Sequence, residues 1–202
     1  MEEDVGMKVR SRGMTGWLLG GALLALFLGS PVFGHNINTS YTTLIVRPDT
    51  LKLMVVVDEY DLLQSFDLDG NQDGVLWREE MLEGVPAVFD FIEQKVGLEV
   101  DGRSLVLERS KGTVQPDDKG NLFVNLYFRV GLKDPAVEVE MEIDFCADFG
   151  ETHKNLAKIL RPGKPMQQAV FAAENPRQKF VVGEREESAL DQFVQMVKGW
   201  FE

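Results

Sequence analysis

The sequence predicts an α+β fold, mainly antiparallel β and sandwich-like, with a helix–loop–helix insertion after its second strand and an amphipathic helix at its C-terminus. Three observations predict it. Runs such as "NLFVNLYFRVG" and "VEVEMEIDF" alternate apolar and polar residues with period two, the pattern of strands with one packed and one wet face. Between about residues 59 and 95 the period lengthens to that of helices, interrupted by an acidic, glycine-containing loop. Turn signals punctuate the rest at short intervals, and no linker, repeat or low-complexity segment divides it.

The elements follow in order. "YTTLIVRPDTLKLMVVVD" is two β-rich runs around the turn at Pro48, Asp49 and Thr50, a hairpin. Its second run, 51–57, is apolar on both faces, as in a covered central strand. "EYDLLQSFDL" puts Leu62, Leu63 and Phe66 on one helical face. After the loop, "WREEMLEG" continues as helix to Gly84, and Pro86 is placed to begin another, "PAVFDFIEQKV", unless the two pieces form one kinked helix. "GLEVDGRSLVLERS" is a hairpin turning at Asp101 and Gly102. Along "VEVEMEIDF", Val137, Val139, Met141, Ile143 and Phe145 point inward. Glu138, Glu140 and Glu142 form a solvated row that discourages edge pairing. "HKNLAKIL" fits helix or strand by pattern alone and is taken as a strand, and "QQAVFAAENPRQKFVVG" reads as two more around Asn175 and Pro176. The end, "SALDQFVQMVKGWFE", spaces Leu190, Phe193, Val194, Val197 and Phe201 as one face of an amphipathic helix, too short and polar to span a bilayer.

Composition bounds the function. The 202 residues are enough for one domain with a sizeable core. A net charge of -12 removes the general attraction to phosphate, so nucleic acid is not an expected partner. The N-terminus has the three parts of an export signal. They are basic Lys8, Arg10 and Arg12, the apolar run "WLLGGALLALFLG" over 17–29, and small residues up to Gly34. The expectation is a signal peptide over 1–34 cleaved near Gly34, or an uncleaved anchor, with a periplasmic or extracellular β-rich domain over 35–184 and the amphipathic helix over 185–202. Met7 is an alternative start. Cys146 is the single cysteine, which precludes an intrachain disulfide and reads as buried packing. No nucleophile elbow, phosphate loop or zinc spacing occurs, so an enzyme is not expected.

The chemistry concentrates in "DGNQDGVLWREE". With Asp69 as position 1, Asp69, Asn71 and Asp73 fill positions 1, 3 and 5, Gly74 fills 6, Val75 fills 7 and Glu80 fills 12. That is the spacing of an EF-hand calcium loop. A hard cation takes six to eight oxygens, alternate side chains in a tight loop converge, and glycine permits the bend. Val75 would give its backbone carbonyl and Glu80 two oxygens. Trp77 at position 9 offers no side-chain ligand, so water or nothing fills that corner. A register starting at Asp67 fails, because Gln72 and Arg78 would then take the glycine and terminal-acid positions. The expected ligand is Ca2+. A lone loop of modest charge in an exported chain suggests affinity of about 10⁻⁴ to 10⁻³ M and a structural role. His35, at the expected mature N-terminus, could chelate copper or nickel with His153 as a distant partner, but a histidine there is more often incidental.

The series "SYTTLIVRPDTLKLMVVVDEYDLL", "FDLDGNQDGVLWREE", "NLFVNLYF", "THKNLAKIL" and "QQAVFAAENPRQKFVV" resembles the extracytoplasmic N-terminal domain of HupE/UreJ-type membrane proteins. The similarity covers residues 38–184. Those proteins are regarded as hydrogenase or urease accessory proteins and presumed nickel permeases. The resemblance implies a possible membrane-protein partner, with the C-terminal helix as its contact. The permease half, with its apolar helices and metal-handling motif, has no counterpart in the sequence, so no transport residue is carried over.

Overall fold

The computed structural model describes residues 38–184; the export signal, His35 and the C-terminal helix expected from sequence lie outside the described residues. Ten strands and two helices follow in the order β1 (Thr39–Arg47), β2 (Thr50–Asp58), α1 (Glu59–Ser65), α2 (Arg78–Lys95), β3 (Val96–Val100), β4 (Arg103–Leu105), β5 (Glu108–Pro116), β6 (Leu122–Gly131), β7 (Glu138–Ile143), β8 (Lys154–Leu160), β9 (Gln167–Phe171) and β10 (Arg177–Val181). They form a six-stranded sheet, β5-β6-β2-β1-β8-β9, and a four-stranded sheet, β10-β7-β3-β4. The fold is mainly β, as expected. Neither helix is long and apolar enough to cross a membrane.

Alternation decides what each strand buries. Leu44 and Val46 of β1, Leu53, Val55 and Val57 of β2, and Leu126 and Phe128 of β6 line the inner face of the large sheet. Val139, Met141 and Ile143 of β7 answer from the small one, and Val88, Phe89 and Ile92 of α2 complete one contiguous core. Phe89 meets Phe128 edge to face, with ring centroids 5.2 Å apart.

The structure corrects several expectations. β2 is central, between β1 and β6, but its outward residues Met54 and Val56 are only half-buried and Lys52 is exposed, so the strand is covered on one face. β8 runs parallel to β1, with Ser40 opposite Asn155 and Thr42 opposite Ala157. It can do so because the chain detours through the small sheet between them, supplying the long crossover a parallel pair requires. β9 and β10 are the two strands expected around Asn175 and Pro176, but each joins a different sheet. β5, a polar and largely exposed strand, was not among the expected elements. The Glu138, Glu140 and Glu142 row does not guard an edge, because β7 lies between β10 and β3.

The helix after the loop does not stop at Gly84. α2 runs unbroken through Pro86, whose missing N–H forfeits one hydrogen bond within the helix. Buried Gly84 serves close packing: a Cβ there would fall 2.6 Å from Leu68 Cδ2. That contact seats the incoming end of the acidic loop against α2.

Candidate metal site

The acidic loop starts from a capped helix. Asp58 accepts a hydrogen bond from the Asp61 N–H at 2.8 Å and so caps α1 directly at the end of β2. Burial, the largest influence, pushes the Asp58 carboxyl above its ordinary value, while the Asp61 N–H opposes the shift. α1 lasts only to Ser65, after which the chain turns into the loop.

Two residues bend the loop in the left-handed region, Gln72 at φ 58° and Gly74 at φ 79°. The bend aims successive side chains back at the loop's own backbone. Asp69 Oδ2 accepts from the Gly74 N–H at 2.8 Å, and Asn71 Oδ1 from the Asp73 N–H at 2.8 Å. That same Asp73 N–H lies 3.3 Å from Asp69 Oδ1. Asp73 Oδ1 accepts from the Val75 N–H at 2.9 Å. Glu80, on the first turn of α2, closes the ring: Oε1 accepts from the Gly70 N–H at 3.1 Å and Oε2 from the Trp77 N–H at 2.9 Å. The second bond is half of a capping box; the other half is missing because an indole offers no acceptor. Leu76, 3% exposed, anchors the loop to the core while Val75 and Trp77 beside it stay exposed.

Asp69, Asn71, Asp73 and Glu80 are thus tied to one turn of chain, and Val75 sits at its outgoing limb. The Trp77 indole Nε1–H donates to Asp73 Oδ2 at 2.9 Å, a role the sequence reading did not foresee. This bond, foremost, with those from the Val75 N–H and Asn71, holds the Asp73 carboxyl below its ordinary value and therefore ionised at neutral pH. As the side chains stand, no three His, Cys, Asp or Glu among the described residues are grouped to hold a metal ion. The loop's oxygens face N–H donors instead. The donor set of carboxylates, an amide and a backbone carbonyl is nonetheless all oxygen, the chemistry of a hard cation rather than of copper, nickel or zinc.

A second polar group lies in the interior, and it too escaped the sequence reading. His153 Nε2 is 3.0 Å from Ser40 Oγ, which also accepts from Asn155 Nδ2 at 2.8 Å. His153 Nδ1 stands 3.3 Å from Asp61 Oδ2, within ion-pair range but outside hydrogen-bond geometry. The chain links β1 and β8 to α1, so it braces the helix that feeds the acidic loop. Its residues share the connectivity of a serine hydrolase triad, yet Ser40, Asp61 and His153 are 0%, 1% and 1% exposed, closed to any substrate. One signal could have found it: Ser40 and Asn155 are polar residues at inward positions of neighbouring strands. Cys146, buried nearby, has its thiol pushed up to about 11 by desolvation, which leaves it protonated and unreactive.

Comparison with known protein families finds no match, and no curated protein matches the chain.

Proposed function

We propose that this chain is an exported calcium-binding protein, in which one EF-hand loop takes Ca2+ through Asp69, Asn71, Asp73 and Glu80 and the Val75 carbonyl. The observation that carries the reading is the return of Glu80 from α2 to the Gly70 N–H at 3.1 Å, which brings the twelfth loop residue back to the first turn. A bound Ca2+ would supply the positive charge that offsets repulsion among three carboxylates. The protein's part is to hold the oxygens on a short loop fixed at both ends, by the capped α1 and by Leu76 and α2. A domain that already braces this loop needs no second loop beside it, which suits a weak and structural site. The buried state of Ser40, His153 and Asp61 supports a non-catalytic protein.

A second reading makes the chain an accessory subunit that docks on a HupE/UreJ-type, presumed nickel, membrane transporter. The apolar spacing of Leu190, Phe193, Val194, Val197 and Phe201 favours it, since such a face fits a partner as well as a core.

Thermal unfolding with increasing Ca2+, beside Asp69→Ala, tests the first reading. At a calcium concentration about tenfold above a Kd of about 10⁻³ M, binding adds about 1.4 kcal/mol, or about 3–6 °C in Tm for a domain of this size. Asp69→Ala should lose that rise. No rise at millimolar Ca2+ overturns the reading, and a nickel response retained by the variant points to His35 instead.

A further inference from the structure

We propose that a cleft where the ends of the two sheets meet is a binding site for a small organic carboxylate, held by Arg47 and Arg161. It shares no residue with the acidic loop, so the proposal stands apart from calcium. β1 and β8 run parallel with Ile45 opposite Leu160, so Arg47, the last residue of β1, lies beside Arg161, the first after β8. Both line a cavity of about 230 Å3. Its other wall comes from the connections of the small sheet, with Val182 and Gly183 just past β10 and Pro135 and Ala136 before β7. That wall is fixed in place. The Val182 and Gly183 N–H groups donate to Val137 O at 2.8 and 3.0 Å, and a Cβ on Gly183 would fall 2.5 Å from Ala136 O.

Arg161 carries the argument. Among the described residues every other arginine is exposed, whereas Arg161 is half-buried and forms no ion pair. Its one hydrogen bond runs from Nη1 to Val181 O at 3.2 Å, and its Nε–H is buried with no acceptor. A cation drawn partly out of water is ordinarily matched by a carboxylate, and a buried donor by an acceptor. Elsewhere this chain obeys that rule: Arg109 meets Asp90 and Glu93, and Arg177 meets Glu140 and Glu142. Arg47 also meets no carboxylate, although Asp49 and Asp134 each adjoin a lining proline in sequence. Lys164, the third cation of the lining, is taken by Glu184 at 2.9 Å. In a chain of net charge -12, two converging arginines without a partner mark a place kept for an anion.

The walls choose the anion. A guanidinium fork matches carboxylate and phosphate alike. A phosphate brings many acceptors, and beyond the arginines this cleft has few donors to meet them. Pro48, Pro135 and Pro162 have no N–H, and the Val182 and Gly183 N–H groups are already used. Val46, Ala136 and Val182 add apolar surface instead. Such a lining suits one carboxylate on a short apolar body. At about 230 Å3 the cleft is smaller than the about 300–1,000 Å3 of pockets that hold drug-sized molecules, so its occupant is small.

Titration of the full chain in calcium-free buffer with butyrate, butyramide and inorganic phosphate tests this, read by NMR shifts and by Tm. Butyrate should shift the Arg161 Nε–H and the Val182 and Gly183 amides saturably and raise Tm. Butyramide, the same shape without the charge, should do neither. Arg161→Gln should weaken butyrate binding by about tenfold or more, the scale of a lost charge-assisted bond, and Arg47→Gln several-fold. Arg161→Lys should recover only part, because a point charge replaces the fork. Lys119→Gln, at an exposed turn, should change nothing. If near-ultraviolet dichroism shows Arg161→Gln misfolded, Arg47→Gln at its exposed position decides the matter. No saturable response to butyrate, an equal response to butyramide, tighter binding of phosphate, or butyrate shifts that survive in the folded arginine variants each overturn the proposal. So does an Arg161→Gln variant with lowered Tm and unchanged butyrate affinity, the mark of an arginine that only ties the end of β8 to β10.

Discussion

Two stretches place acidic or amide residues at every second position, and the structure treats them oppositely. In the loop these are Asp69, Asn71 and Asp73; in β7 they are Glu138, Glu140 and Glu142. On the strand, residues two apart stand about 6.7 Å apart in a straight row, so the carboxylates meet cations on the neighbouring strand. Glu142 pairs with Arg177 at 2.6 Å, Glu140 with Lys179 at 3.1 Å, and Glu138 with Lys179 at 3.3 Å, all on β10. In the loop, left-handed Gln72 and Gly74 curl the chain, and the oxygens turn on their own backbone N–H groups. Acid alternation therefore says nothing about cations until the backbone conformation is known. The glycine at 74 is the sequence's one clue that separates the two.

The largest expected break in that contrast is Glu80→Ala. It removes the acceptor of both the Gly70 and the Trp77 N–H, leaving the start of α2 uncapped. The calcium-free protein should lose about 1 kcal/mol, a typical cap contribution, and the whole calcium-dependent rise in Tm should vanish with it. Chemical denaturation with and without Ca2+ measures both. A calcium response that survives would show that Glu80 serves only as a cap.

Gly74→Ala comes next. At φ 79° an alanine is strained by about 1–2 kcal/mol, and no side chain lies near enough to clash, so the strain alone is tested. Stability and calcium affinity should fall together if the loop keeps its bend only under strain. A glycine introduced in β7 would have no such link to calcium. Calcium titration followed by calorimetry distinguishes loss of affinity from loss of fold.

The local part of this structure was legible in the sequence, and the non-local part was not. Hairpins such as β1–β2 and β3–β4 are written in adjacent residues, and the inward set of β6 follows from alternation alone. The bend of the acidic loop was equally local, because a glycine stands where the chain turns through the left-handed region at Gly74. β5 was missed because an exposed, polar strand has no period to read. The parallel placing of β8 and the parting of β9 from β10 depend on which distant face needs cover. Pro86 left two readings open, and the structure takes the single helix, with Gly84 and Val88 buried on either side of the lost hydrogen bond. The Asp61, His153 and Ser40 chain joins residues 113 positions apart, and Trp77, read as an idle corner, proved to be a donor to Asp73.

On the strand, Glu140→Gln should matter less. Its carboxylate is shared by Arg177 and Lys179, but both cations are exposed and keep Glu142 and Glu138 as partners. Tm should fall by no more than a few degrees at low salt, with the deficit shrinking as salt screens the ladder and with the calcium response unchanged.

The smallest effect tests the loop's own donors. Trp77→Phe keeps an aromatic ring but removes the indole N–H that contributes most to lowering the Asp73 carboxyl. A carboxylate held below its ordinary value in the folded state favours folding above that value, and the benefit disappears as pH falls through the lowered one. In the variant that benefit is reduced, so its stability should lie slightly below the parent protein's near pH 7 and the difference should close as pH falls through the lowered value. At neutral pH the change also frees a lone pair on Asp73 Oδ2, so calcium affinity should hold or rise slightly. A fall in affinity would mean that the Trp77 bond positions Asp73 for the cation rather than competing with it, and the loop would then depend on an aromatic donor that the β7 ladder, built from cations, does without.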